Sequence, residues 1–83
     1  MTKTPIPGDT LLRKEILPHK IRERRIEMGL SLYDLSLKIL EESDYKFFPQ
    51  TIGQWERGIN CPTTKRFKIL AKALEVPESY FYA

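Results

Sequence analysis

Pro49-Gln-Thr-Ile-Gly-Gln-Trp-Glu-Arg-Gly58, with the loop Gly58-Ile-Asn-Cys-Pro62 behind it, decides the fold of this 83-residue chain. Proline suits the first position of a helix, where its missing N–H would go unused. Gly58 is a helix stop. Between them Ile52 and Trp55 turn toward a core, while Gln50 and Gln54 stand four apart on one polar face. The stretch 49–57 is therefore an expected helix with one apolar and one polar side.

Upstream, Ser31 is placed to cap a helix over 32–42, and Ser31 with Asp34 forms a variant of the capping box. Leu32, Leu35 and Ile39 give that helix one apolar stripe. Before it, Gly29 ends a helix over 18–28, with Leu17, Ile21 and Ile26 as its apolar side. Residues 43–48 read as a connection. Downstream, Thr63 caps a helix over 64–74 with Phe67, Leu70, Ala71 and Leu74 inward. Val76-Pro77 breaks it, and a short fifth helix covers 78–82. Residues 1–17 read as an N-terminal arm: two prolines and a glycine keep 1–9 irregular, and Asp9 can cap a short stretch 10–17. Residues 18–83 form the folded domain, an all-α five-helix bundle with no strand.

Helix, glycine turn, helix, turn, helix is the pattern of a helix-turn-helix core. Such a unit lays its second helix in the major groove of DNA while the first crosses the backbone. Here those two are 32–42 and 49–57. A glutamine amide can bond adenine in bidentate fashion, which suits Gln50 and Gln54. Gly53 lies between them, and a glycine inside a helix costs about 1 kcal/mol relative to alanine. Close approach of its backbone to something would account for that cost. Helix N-termini offer unpaired N–H donors that suit phosphate.

Composition sets the bounds. With 41% hydrophobic and 30% charged residues the chain should fold and stay in solution, and a net charge of +3 leans mildly toward polyanions. The single cysteine, Cys61, excludes an intrachain disulfide, and with one histidine, His19, no Cys/His zinc site can be built. No cofactor is expected. No apolar run nears the ~20 residues of a membrane span, and Met1 to Asp9 lacks an apolar signal core, so a cytoplasmic protein is expected. Ser31, Ser36, Ser43 and Ser79 have no histidine base in a recognisable arrangement, so catalysis is not expected.

The ordered set Arg24-Arg-Ile-Glu-Met-Gly-Leu-Ser31, Leu35, Thr51-Ile-Gly-Gln-Trp-Glu-Arg-Gly58, Pro62, and Leu70-Ala-Lys-Ala-Leu74 with Val76 resembles the phage-repressor and Cro family, of the xenobiotic-response-element type. The resemblance covers about 18–83 and implies a lambda-repressor-like DNA-binding domain acting as a transcription regulator, expected to be a repressor. It implies base reading by Gln50 above all, with Gly53 and Gln54 beside it and Pro49 close to the groove wall. It implies phosphate contacts by Ser31 and Asn60, with Arg57 and Lys65 as candidates; Tyr33, Lys46 and Thr51 are further candidate phosphate contacts. It pairs Arg25 with Glu56 in a salt bridge between the first and third helices. The implied partners are double-stranded DNA and a second copy of the chain, through Tyr80, Phe81 and Tyr82 or through 1–17.

Three departures stand out. The stretch after Ile39 is about six residues longer than the usual short turn. Either the second helix runs on to about Ser43, or a loop protrudes beside the groove with Tyr45 and Lys46 near the DNA backbone. Leu32 or Tyr33 stands where a glutamine usually braces the reading helix. Phe48 is a poor N-cap.

Other readings compete at several positions. Gln50 and Gln54 can be a solvated face. Arg22, Arg24 and Arg25 with Glu23 and Glu27 read as a mixed, solvated face. Tyr45, Phe47, Phe48 and Tyr80 to Tyr82 fit core or dimer packing better than stacking on single strands. The alternative function is a protein-interaction module or antitoxin-like protein on the same fold, favoured if those aromatics are exposed. With no residues after 83, a regulator without an effector domain is expected.

Overall fold

The computed structural model describes residues 16–82. Four α-helices follow in order: α1 (Pro18–Glu27), α2 (Leu32–Ser43), α3 (Pro49–Glu56) and α4 (Thr64–Ala73), then a 3-10 turn, Glu78–Phe81. The architecture is all-α. The expected fifth helix is this single 3-10 turn. The arm and the Asp9-capped stretch lie outside the described residues, apart from Ile16 and Leu17. These two are not helical: Ile16 bridges Tyr82 in antiparallel fashion, and the Leu17 N–H donates to the Phe81 carbonyl at 2.8 Å.

Local signals set the boundaries. Ser31 Oγ accepts from the Asp34 N–H at 2.9 Å while Asp34 accepts from the Ser31 N–H at 3.0 Å, so a reciprocal capping box starts α2. Gly29 and Gly58 both sit at φ 73°, a conformation that Cβ disfavours. Each lets the next residue's N–H reach back into the helix: Leu30 to the Arg25 carbonyl at 3.1 Å, Ile59 to the Gln54 carbonyl at 3.0 Å. The long connection resolves in favour of the extended helix. α2 continues to Ser43 and ends on Asp44, itself left-handed at φ 63°. The link to α3 is then 44–48. Phe48 caps α3 without a side-chain hydrogen bond.

α3 packs on both α1 and α2, α4 packs on α2, and the 3-10 turn rests on α1 and α4. Ile21, Leu35, Ile39, Ile52, Phe67, Leu70, Leu74 and Phe81 are fully buried. Trp55 is buried edge-on to Phe47, ring centroids 5.3 Å apart.

Two readings of α1 fail. Ile26 is 51% exposed and is not on the packed side of α1. It lies five residues beyond Ile21, about 140° round the helix. The residues on Ile21's face are Arg24 and Arg25, at i+3 and i+4. Arg24 is no solvated charge: its Nε donates to the Leu74 carbonyl at 2.9 Å and covers the end of α4. The aromatic clusters pack mainly on the core, one of the two readings given for them, except Phe48, which is 60% exposed. Phe81 is fully buried with its ring 5.4 Å from Phe67, Phe47 is buried, and Tyr45, Tyr80 and Tyr82 pack partly buried on the core. An interface through Phe81 would have to open the core.

Candidate nucleic-acid interface

The outer side of α3 forms a shallow groove lined by Pro49, Gln50, Gly53, Gln54 and Arg57, with Leu32 of α2 as its far wall. The fold thus brings the four expected base-reading residues together. Gln50 is exposed and Gln54 half-buried. Gly53 is buried for a local reason: a Cβ there would lie 3.4 Å from Leu32 Cδ1 and 3.4 Å from Arg57 Nη1. Its missing side chain makes room for Leu32 to lie on α3. An apolar contact therefore stands where the resemblance implies a glutamine brace, and Tyr33 beside it is 62% exposed.

From behind, α3 is held by charge. Arg25 Nε donates to Glu56 Oε2 at 2.6 Å and Nη2 to Oε1 at 3.0 Å, a bidentate pair. Nη1 donates to the Leu30 carbonyl at 2.9 Å. The side chains are 12% and 4% exposed. The Glu56 hydrogen bond drives the Arg25 guanidinium still further toward its charged form. The pair ties α1 to α3 on the side away from the groove.

The expected phosphate residues spread around this groove with different freedoms. Arg57 is exposed at its edge. Thr51 is half-buried in the first turn of α3, its N–H given to the Phe48 carbonyl at 2.9 Å. Ser31 is exposed, but its N–H and hydroxyl are both engaged with Asp34, which leaves the first N–H groups of α2. Asn60 is turned back on the reading helix: its Nδ2 donates to Gln54 Oε1 at 2.8 Å. Lys46 lies over the Phe48 ring at 5.9 Å and Lys65 over the Tyr45 ring at 4.9 Å. Arg66, which sequence reasoning passed over, lies 5.9 Å from the Phe47 ring. Its signal was its place beside Lys65 at the start of α4. The α2–α3 link is thus an aromatic strip with three cations on it.

Among the described residues no helix is long and apolar enough to cross a membrane. A family model described as helix-turn-helix matches residues 49–81, which span α3, the loop behind it, α4 and the 3-10 turn. No curated protein and no solved structure matches the chain. The match points to a DNA-binding transcription regulator with double-stranded DNA as its partner. The helices and the matched segment give the described residues an all-α helix-turn-helix fold, and the match is consistent with a phage-repressor and Cro-like family.

Proposed function

We propose that the protein represses transcription by sequence-specific binding to double-stranded DNA, with α3 in the major groove. The observation that carries this reading is the groove along α3, where two glutamines and an arginine line one open surface. Gln50 and Gln54 read base edges, Pro49 and Gly53 shape the wall, and Arg57, Lys46, Lys65, Thr51, Tyr33 and the α2 N-terminus at Ser31 meet phosphate. One reading helix offers few base contacts, so two copies bind half-sites about 34 Å apart or a multiple of that. A gel shift on the DNA upstream of its own gene, with excess nonspecific competitor, tests the reading. A complex that survives competition supports it. Loss of all binding under competitor removes sequence specificity. Footprinting then separates one half-site from two.

A second reading has one observation in its favour. Tyr33, Leu37 and Leu40 are exposed at i, i+4 and i+7 on α2, an apolar stripe a protein partner could cover. It moves ahead if the purified chain binds no DNA.

A further inference from the structure

We propose that Asn60 is a positioning residue that sets which end of the Gln54 carboxamide faces DNA, and thereby which base Gln54 accepts. The inference rests on the reading that α3 contacts base edges. A primary carboxamide has an acceptor end and a donor end. Gln54 Oε1 is engaged by Asn60 Nδ2 at 2.8 Å. Rotating the Gln54 amide alone by half a turn would set Nε2 against Nδ2, donor against donor, and lose the bond unless Asn60 turned with it. The end left wholly free for a ligand in the groove is therefore Nε2 with its two hydrogens, while Oε1 keeps one lone pair.

The chain path builds this contact. Gly58 at φ 73° reverses the chain, and the Ile59 N–H closes on the Gln54 carbonyl at 3.0 Å. Asn60 then lies beside a side chain six positions earlier. Gln50 differs: it is exposed and has no hydrogen-bond partner among the described residues. Its amide can turn either way and bond adenine through both ends.

In the major groove guanine offers two acceptors, N7 and O6, and thymine offers O4, whereas adenine N6 and cytosine N4 are donors. A Gln54 whose donor end is free and whose oxygen is shared with Asn60 favours guanine or thymine and weakens the bidentate match to adenine. The two glutamines of one helix face thus read different bases, and a residue outside the helix makes the difference.

Selection from a randomised duplex library with the full-length protein tests this. The base pair read by Gln54 is the one whose preference Gln54→Ala abolishes. The wild type should select guanine or thymine there. Asn60→Ala frees the amide and should raise adenine relative to guanine by about five-fold, the worth of one hydrogen bond. Gln54→Glu keeps an oxygen for Asn60 but turns an acceptor outward, and should move the preference to cytosine. If Asn60→Ala keeps the wild-type base and weakens cognate and scrambled duplexes alike, Asn60 is a phosphate contact and the inference is overturned. If the wild type selects no motif, the DNA-reading role of α3 fails and this inference with it.

Discussion

The cations of this protein fall into two groups that differ in what neutralises them. On α1, α2 and the later part of α4 most meet carboxylates. Lys38 reaches Glu42 at 2.6 Å and Glu75 at 3.3 Å, Lys68 reaches Glu78 at 3.2 Å, Arg24 reaches Glu27 at 3.2 Å, and Arg25 is locked to Glu56. Around α3 and the start of α4, Lys46, Arg57, Lys65 and Arg66 have no carboxylate partner among the described residues, and three of them lie over aromatic rings. Lys20, which lies 5.4 Å from the Tyr80 ring, Arg22 and Lys72 also lack one, but they are spread over α1 and the far end of α4. A ring face attracts a cation without cancelling its charge. The first group therefore serves the fold, and the second keeps its field for a polyanion.

The largest effect should come from the first group. Glu56→Ala leaves the Arg25 guanidinium in a nearly buried place without its counter-charge, a change that costs about 3–5 kcal/mol. Glu27→Ala removes an exposed partner and should stay within about 0.5 kcal/mol. Thermal denaturation of the two variants measures the gap. Equal small losses would mean that Arg25 and Glu56 do not hold α1 to α3.

Next comes the groove. Gln50→Ala should cost about 1–3 kcal/mol on a cognate duplex and little on a scrambled one. An unchanged cognate-to-scrambled ratio would remove the reading role from α3 and favour the Tyr33, Leu37 and Leu40 stripe as the working surface.

A third pair of substitutions compares the two groups directly. Lys65→Ala removes a cation held only by a ring, and Lys68→Ala, one turn away, removes a cation facing Glu78. Lys65→Ala should weaken cognate and scrambled DNA nearly alike and lower the salt slope by about 1. Lys68→Ala should leave the slope where it was. Equal slopes for both variants would erase the distinction between the groups.

The same contrast explains what could be read in the sequence. Ile52, Trp55 and Gly58 set α3 through periodicity and a glycine stop, and Ser31 with Asp34 marked the start of α2. The groove residues share a face because their spacing is helical, so their neighbourhood was legible too. The end of α2 was ambiguous because Asp44, not glycine, takes the left-handed position. The packed side of α1 was misread at Ile26, since hydrophobic pattern does not show that paired arginines fill the inward positions. The Asn60–Gln54 contact crosses a turn, and no helical spacing encodes it. The arm at 1–15 lies beyond the described residues, and which base each glutamine reads is a matter for the selections above.

The smallest effect concerns Asp34, an exposed anion at the start of α2, close to the proposed phosphate contact of Ser31. The Ser31 N–H and then its hydroxyl hold the Asp34 carboxyl below the usual carboxylate range. A depressed folded-state pKa means that the unfolded chain takes up the proton first as acid is added. The contribution of the capping box is therefore complete above the ordinary carboxylate pKa and disappears as pH falls through the lower folded value. Asp34→Asn keeps an oxygen for the Ser31 N–H but cannot titrate. The melting temperature of the wild type should exceed that of Asp34→Asn by a small margin near neutrality, and the margin should close in acid. A margin constant across that range would show that the carboxylate charge adds nothing to the cap, leaving the hydrogen-bond geometry alone to start α2.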